Sequence, residues 1–283
     1  MILGGVPFYL EKLNREKSIA QNIDAIFFNE SAELKNEFNY LVNSLFKNSE
    51  KYKKVLQALS NTDKAQTRNE ISFSAKISNG GGLTNMLVEL ELSDFITKSY
   101  PIGGNVNNKV YQISDPFLLF YFRFMHEKKQ LKANYWINLQ DSPEYRQWSG
   151  IAYEKLCFKH INQISRSLGI SGIQTTETSW RDDNKKPTVQ IDLVIERKDQ
   201  VINLCEVKFT EGVYTIDKKY AEVLRKKIRV FKEKTNTKKA IFPTLITTYP
   251  LQENAYSREI IVNKINMNDL FENIIYILSL IQD

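Results

Sequence analysis

The fold of the second half of this chain is decided by two neighbouring apolar runs, VQIDLVIE at residues 189–196 and VINLCEVKF at residues 201–209. A short polar segment, RKDQ at residues 197–200, separates them. Two runs rich in β-branched residues around such a segment predict a β-hairpin. Both runs are apolar almost throughout, as strands are when the sheet is covered on both faces. The sequence therefore predicts two paired, buried strands.

The register of this hairpin brings two acidic residues together. If residues 198–200 form the turn, Arg197 pairs with Val201. Asp192 then lies opposite Glu206, and side chains paired in this way have Cβ atoms about 5 Å apart. A slip of one residue would turn Asp192 to the other face of the sheet. The prediction that both carboxylates face one pocket therefore depends on this register.

The residue types at these positions favour a divalent-metal site. Strand alternation puts Lys208 on the same face as Glu206. Two facing carboxylates, Asp192 and Glu206, repel each other unless a cation lies between them. Mg²⁺ prefers oxygen ligands and keeps several waters, and a bound metal activates water and stabilises charge on phosphate. Lys208 would orient that water. The alternative is an ordinary strand pair with its charges on a solvated face, which the apolar character of both strands disfavours.

A third carboxylate supports the metal-site interpretation. Glu154 belongs to a long helix predicted from about residue 143 to residue 168. It falls within the apolar stripe of that helix, which consists of Ile151, Cys157, Phe158, Ile161, Ile164 and Leu168. An acid that faces inward needs a partner or a metal. We expect Glu154 to complete the metal shell; the alternative is a glutamate at the edge of the stripe, paired with a lysine.

A basic amphipathic helix is predicted from about residue 215 to residue 234. Its inward, apolar stripe consists of Tyr220, Val223, Leu224, Ile228 and Phe231. Its polar face is either an ordinary solvated surface or a contact surface for a phosphate backbone. Lys227 lies near the inward stripe, from which it would reach the acidic site. The candidate nucleic-acid contacts on this helix are Arg225, Lys226, Lys227 and Arg229. Weaker candidates, on a loop expected before the hairpin, are Trp180, Arg181 and Lys185–Lys186.

We place the α/β domain at residues 141–283, with a mixed sheet flanked by helices, and three regions precede it. Residues 1–48 predict short helices, one of them capped by Ser18. Residues 115–140 predict a helical connector. Its helix from Asp115-Pro116 through Met125 is apolar almost all round, which suggests burial between domains.

Residues 49–114, the remaining region, predict three helices followed by a β-hairpin, which is the order of a winged helix. The third helix and the wing of that fold are the surfaces usually offered to DNA. Here the wing carries little charge, and the third helix carries Glu89 and Glu91. A role in packing or oligomerisation therefore remains as open as contact with DNA.

The composition is that of a globular protein with a mild basic excess. The chain has 283 residues, of which 42% are hydrophobic and 25% charged, and its formal net charge is +6. Such a charge permits nucleic-acid binding without requiring it. Cys157 and Cys205 are predicted to be buried thiols of a reduced compartment. With no signal peptide and no apolar run of membrane-spanning length, we expect a cytoplasmic protein with no membrane partner.

The set Glu154, Gln190-Ile191-Asp192 and Glu206-Val207-Lys208 resembles the motif of the PD-(D/E)XK nuclease superfamily. The resemblance implies a restriction-endonuclease-like fold, a mixed sheet flanked by helices, in which Mg²⁺ or Mn²⁺ supports the cutting of nucleic acid. It carries over Glu154, Asp192, Glu206 and Lys208 as the metal-binding and catalytic residues.

The whole chain is similar to the C-terminal half of archaeal-type, AAA-like ATPases. The similarity lies in GGVPFYL at residues 4–10, the winged-helix region, DPFLLFYFRF at 115–124 and CEVKF at 205–209. In that family a P-loop module comes first, but no G-x-x-x-x-G-K-[ST] occurs here. We therefore expect neither a bound nucleotide nor ATP hydrolysis; the chain is either a fragment of a longer protein or a remnant that lost its motor.

Together these observations predict a Mg-dependent phosphodiester hydrolase acting on nucleic acid, with DNA as the expected partner. The alternative is a catalytically silent nucleic-acid-binding or protein-binding module of an ATPase. Further partners implied by the resemblance are a separate ATPase module or a second copy of the chain.

Overall fold

The computed structural model describes residues 1–102, 109–127, 134–182 and 188–271. These residues divide into two compact units. The first lies within residues 1–99 and 107–152, and the second within residues 100–106 and 153–283. The division between residues 152 and 153 falls within the helix Pro143–Lys159.

The first unit begins with short helices: α1 (Pro7–Leu10), α2 (Ile19–Ile23) and α3 (Glu37–Leu45). A π-helical turn over residues 24–28 continues α2. Ser18 caps α2 as predicted, because its hydroxyl accepts from the Gln21 N–H at 3.2 Å while the Gln21 side chain accepts from the Ser18 N–H at 2.8 Å. This reciprocal capping box satisfies two N–H groups that the helix start would leave unpaired.

The next region contains three longer helices and a small antiparallel sheet. The elements are α4 (Ser49–Ser60), β1 (Gln66–Thr67), α5 (Arg68–Ala75), α6 (Gly81–Leu92), β2 (Ile96–Ser99) and β3 (Val110–Ile113). The strand order is β1-β3-β2. The sequence predicted the three helices and the β2–β3 hairpin but not the two-residue strand β1. The predicted wing loop lies partly outside the described residues, which resume at residue 109.

Helices α7 (Pro116–Phe124) and α8 (Tyr135–Leu139) also belong to the first unit. Asp115 caps α7 by accepting from the Leu118 N–H at 2.7 Å. Most apolar residues of α7 are buried, and the others are partly buried; together they pack into the aromatic core of this unit. That core includes Phe27, Phe28, Phe117, Phe120, Phe124, Trp136 and Trp148.

The second unit is an α/β domain around a mixed five-stranded sheet, with strand order β10-β8-β6-β5-β4. Strands β4, β5 and β6 pair antiparallel, whereas β6, β8 and β10 pair parallel. The strands are β4 (Thr175–Asp182), β5 (Val189–Arg197), β6 (Val201–Lys208), β8 (Ala240–Thr247) and β10 (Asn263–Asn266). A separate parallel pair consists of β7 (Tyr214–Thr215) and β9 (Leu251–Gln252).

The helices of the second half are α9 (Pro143–Lys159), α10 (Ile161–Ser167), α11 (Lys218–Thr235) and α12 (Ala255–Ile260). Helix α11 connects the parallel neighbours β6 and β8, as a crossover helix does. Both cysteines are buried and free, as predicted. Within the described parts of the chain, no helix combines the length and the apolar character that crossing a membrane requires.

Three predicted elements of this half differ from the structure. The helix predicted over residues 143–168 is two helices that break at His160. The strand predicted near residues 258–263 is wrong, because Asn254 accepts from the Ser257 N–H at 2.9 Å and starts α12 there. The last helix, predicted over residues 267–281, is a 3₁₀ turn over residues 267–270; from residue 272 onward it lies outside the described residues.

Candidate active site

The β5–β6 hairpin has the register that the sequence predicted. Paired residues include Leu193 with Cys205 and Glu196 with Ile202. Continuing this register by one residue places Asp192 beside Glu206. Their side chains are buried, with residue exposures of 7% and 5%. The hairpin therefore carries two acids into the interior at neighbouring positions.

Asp192 is held against the neighbouring strand through the backbone. Its Oδ2 accepts a hydrogen bond from the Val207 N–H at 2.9 Å. Burial raises the pKa of Asp192 to about 6, and the negative charge of Glu206 acts in the same direction. The charge of Lys227 and the Val207 hydrogen bond offset part of this effect. Asp192 is therefore a carboxylate whose ionised form another cation would stabilise.

Glu206 is the centre of a polar cluster. Its Oε1 lies 2.8 Å from Lys208 Nζ and accepts a short hydrogen bond from the Tyr220 hydroxyl. Its Oε2 lies 2.5 Å from Lys227 Nζ. Burial alone would raise the pKa of Glu206, but the two ammonium groups outweigh it and hold that pKa below its ordinary value. Glu206 is therefore ionised and already carries two cationic partners.

Tyr220 and Lys208 face each other as well as Glu206. Lys208 Nζ lies 5.2 Å from the centroid of the Tyr220 ring, within the range of a cation–π contact. Burial first, and then the charge of Glu206, raise the pKa of Tyr220 far above its ordinary value. The Tyr220 phenol thus stays neutral and donates to Glu206. The carboxylates around Lys208 raise its pKa although burial acts to lower it, so Lys208 stays charged.

Glu154, on α9, is half-buried and lies within the electrostatic field of this cluster. Burial raises the pKa of Glu154 to about 8, and the charge of Asp192 adds to the effect, while the charges of Lys155 and Lys208 act against it. The structure therefore brings all four sequence-predicted residues, Glu154, Asp192, Glu206 and Lys208, into one electrostatic neighbourhood.

The carboxylates fit a site that is only partly built by protein. Within residues 1–102, 109–127, 134–182 and 188–271, no group of three His, Cys, Asp or Glu side chains has a metal-holding arrangement. Mg²⁺ usually keeps several waters and takes only one or two carboxylates, together with substrate phosphates. Asp192 and Glu206 would supply two carboxylates of that kind. The chemistry of this donor set suits Mg²⁺ or Mn²⁺ better than a metal that needs a closed protein cage.

Comparison with protein-family models and with curated proteins finds no match. The interpretation of this cluster therefore rests on its own geometry and electrostatics.

The cations of α11 do not all belong to one open surface. Lys227 points to Glu206 instead, and its side chain is 19% exposed. Arg225 Nη2 lies 2.7 Å from Glu259, and Arg229 Nε lies 4.0 Å from Glu233. Such exposed pairs contribute little free energy, so phosphate groups would compete with them easily. The predicted contact of Arg225, Arg229 and the half-buried Lys226 with nucleic-acid phosphates thus stays a prediction.

The loop position predicted for Trp180 and Arg181 is wrong, because both lie in strand β4. The Trp180 ring packs edge-to-face on Phe231, with centroids 5.2 Å apart, and so forms part of the domain core. Arg181 is exposed and donates to Gln190 Oε1 at 3.3 Å. Lys185 and Lys186 lie outside the described residues.

Sequence reasoning assigned Tyr220 only to the inward apolar stripe and missed its polar role. It did anticipate that Lys227 would reach the site. Tyr220 and Lys227 are seven residues apart, two turns of α11, and therefore share one face of the helix. The signal in the sequence is a pair of polar groups, a hydroxyl and an ammonium, on the otherwise apolar inward face of a helix. Such a pair identifies Tyr220 and Lys227 as partners of a buried acid.

Proposed function

We propose that the second unit hydrolyses phosphodiester bonds of nucleic acid, with DNA as substrate, using Mg²⁺ or Mn²⁺ held by Asp192 and Glu206. One observation carries the proposal: two buried acids occupy neighbouring positions on paired strands, and Lys208 lies 2.8 Å from one of them. Acids buried at this spacing stabilise a shared cation.

Each residue of the cluster has a separate role in this proposal. A divalent metal, when bound, lowers the pKa of a coordinated water and offsets charge on phosphate. Glu154 would complete the carboxylate shell. Lys208, charged and 32% exposed, would orient the attacking water or contact a phosphoryl oxygen. Tyr220 would fix the orientation of Glu206 through its hydrogen bond.

We extend the proposal to the family that the sequence resembles. The second unit would be a restriction-endonuclease-like domain of the PD-(D/E)XK type, and residues 49–114 a winged helix, in the C-terminal part of an ATPase-family protein. The element order along both regions supports this assignment. Lys98 Nζ lies 2.9 Å from Glu91 of α6, so a cation near the proposed recognition helix already has an acidic partner. The side chains of this pair are 30% and 31% exposed, less than those of the Arg225 and Arg229 ion pairs on α11, so phosphate would compete with it less easily.

The test is cleavage of plasmid DNA and single-stranded oligonucleotides in the presence of Mg²⁺ or Mn²⁺. Asp192→Asn and Glu206→Gln preserve side-chain shape and remove one charge each. We expect both variants to cleave at least 100-fold more slowly than the wild type. Removing one electrostatic contribution to a transition state lowers a reaction rate by about this factor. Chelation with EDTA should abolish cleavage by the wild type.

Glu196→Gln is the matched control, because Glu196 lies on the same strand as Asp192 but pairs with Lys239 at 2.9 Å. It should cleave at the wild-type rate. Cleavage that persists in folded Asp192→Asn and Glu206→Gln proteins would contradict the assignment of the site.

The contact between Lys227 and Glu206, at 2.5 Å, favours a second candidate function. An ammonium at that oxygen supplies the counter-charge that a metal would supply. In this alternative the unit is a catalytically silent module that binds nucleic acid or protein, and the ion pair is structural. It predicts no cleavage and no carboxylate-dependent metal binding, which calorimetry with Mn²⁺ would measure directly.

A further inference from the structure

The two oxygens of Glu206 are occupied unequally. Oε1 is shared by Lys208 and the Tyr220 hydroxyl, whereas Lys227 is the donor at Oε2. Lys208 and Lys227 have the same flexible side chain, so they differ mainly in the oxygen that each one occupies. Release of Oε2 breaks one contact, that with Lys227, whereas release of Oε1 breaks two. Oε2 is therefore the oxygen that an incoming metal frees more readily.

Charge balance also favours the departure of one ammonium when a metal enters. The cluster combines two carboxylates, of Asp192 and Glu206, with two ammonium groups, of Lys208 and Lys227, so its formal charges balance. A divalent ion added to this set would leave an excess of positive charge in a buried site, which is strongly unfavourable. Departure of Lys227 lowers that excess. The cluster therefore accommodates a divalent ion only by rearrangement.

We propose that Lys227 is a displaceable counter-cation, which holds Glu206 in the metal-free protein and moves to a substrate phosphate when a divalent ion takes its place at Oε2. The inference rests on the proposed function and adds a phosphodiester-binding role for Lys227. Its ammonium contacts a buried carboxylate while 19% of its side chain is exposed, so Lys227 lies at the border between the cluster and solvent. Metal binding and phosphate binding at this site are then coupled through one residue.

The experiment measures Mn²⁺ affinity directly, by titration calorimetry and by the electron paramagnetic resonance signal of free Mn²⁺. Lys227→Met removes the competing charge and keeps the aliphatic packing, so it should bind Mn²⁺ at least tenfold more tightly than the wild type. Lys198→Met is the matched control: it removes the same charge from the exposed β5–β6 turn and should leave the affinity unchanged. Lys227→Gln, which keeps a hydrogen-bond donor, should match Lys227→Met and replaces it if that variant fails to fold.

The outcomes separate this inference from the proposed function. If the wild type binds Mn²⁺ and both Lys227 variants bind it equally well, the counter-cation role is overturned while the hydrolase proposal stands. If only the Lys227 variants bind Mn²⁺, the metal does not displace Lys227, so the inference is overturned and the silent-module alternative is favoured. If no variant binds Mn²⁺, both proposals fail.

Coupling to phosphate gives a second readout. In the wild type, an uncleavable phosphorothioate oligonucleotide should tighten Mn²⁺ binding several-fold, since it offers Lys227 a new anionic partner. In Lys227→Met this enhancement should be smaller, because only the direct contact between metal and phosphate remains. Equal enhancement in both proteins would overturn the transfer of Lys227 to the phosphate.

Discussion

The two units bury different chemistry at their centres. The first buries aromatic rings, such as Phe120, Phe124 and Trp136, whose centroids lie 5.0–5.6 Å apart. The second buries charge, with Glu206 bonded to two lysines and a tyrosine. Packing of uncharged rings does not depend on protonation. Each buried group of the charged cluster, by contrast, depends on the others for its hydrogen bonds and its counter-charge. The first centre is therefore expected to respond to changes of volume, and the second to changes of pH and of bound cations.

The largest expected effect sharpens this contrast at the aromatic centre. Phe120 is fully buried, and its ring contacts Phe27, Phe28, Phe124, Trp136 and Trp148. Phe120→Ala should lower the free energy of unfolding by about 3–5 kcal/mol, through lost transfer energy and the cavity left behind. Urea denaturation followed by circular dichroism measures this loss at pH 5, 7 and 9.

The loss caused by Phe120→Ala should be the same at all three pH values, because no charge is involved. Phe73→Ala is the control, since Phe73 is 88% exposed and its removal should change stability by less than about 0.5 kcal/mol. A loss that varies strongly with pH would break the distinction between the two centres.

The next effect concerns pH in the charged centre. The pKa of Glu154 in the folded chain is about 8, above the ordinary value of 4.5. The folded state therefore binds this proton more tightly than the unfolded state does. The stabilisation from this proton is complete below pH 4.5 and is lost as the pH rises through 8. Measured in EDTA, the free energy of unfolding should fall over this interval.

Glu154→Gln mimics the protonated acid. It should therefore abolish the part of the decrease in unfolding free energy that is due to Glu154. At pH 9 it should be more stable than the wild type by an amount on the order of 2–4 kcal/mol, while the two proteins should be nearly equal at pH 4.5. Glu222→Gln, at an exposed position of α11, should track the wild type at every pH. Parallel curves for Glu154→Gln and wild type would show that Glu154 is not coupled to the cluster.

The smallest expected effect concerns a buried charge in the first unit, which otherwise buries aromatic rings. Asp24 is only 3% exposed, and its two oxygens accept from the Trp136 and Ile137 N–H groups at 2.8 and 2.9 Å. This buried carboxylate is thus satisfied by the backbone at the start of α8 instead of by lysines. Asp24→Ala should cost about 1–3 kcal/mol of unfolding free energy, because both N–H groups lose a charged acceptor.

Asp24→Asn keeps one acceptor oxygen and should lose roughly half as much as Asp24→Ala. Asp63→Ala, at an exposed position, serves as the control and should have little effect. If Asp24→Ala is as stable as the wild type, other groups satisfy the N–H groups at the start of α8, and the charge of Asp24 does not stabilise the first unit.

Local patterns made the hairpin predictable. Alternation along residues 189–196 and 201–209 and a short polar turn were sufficient to give the register that joins Asp192 to Glu206. The order of helices and strands along residues 49–114 was likewise visible from periodicity and breaking residues. These features depend on neighbours in sequence, which a pattern records.

Features that depend on distant contacts could not be predicted in the same way. Asp24 caps a helix that begins more than 110 residues later, and no local pattern contains that relation. Trp180 was assigned to a loop because the sequence alone does not show that Phe231 will cover it. The start of α12 at Asn254 was missed because a side-chain hydrogen bond at a helix start overrides apolar periodicity. The break at His160 was missed because the apolar periodicity continues across it, from Cys157 and Phe158 to Ile161 and Ile164. In the site itself, the hydroxyl of Tyr220 was missed because its ring also fits an apolar stripe.

The position of α11 between β6 and β8 has a consequence for the newborn chain. When the nascent chain has been synthesised only as far as residue 217, it contains Glu206 but neither Tyr220 nor Lys227. Strand β6 also lacks its parallel neighbour until residue 247 has been made. Throughout that interval of translation the glutamate stays hydrated, and dehydrating it must wait until the crossover helix folds back with both of its donors.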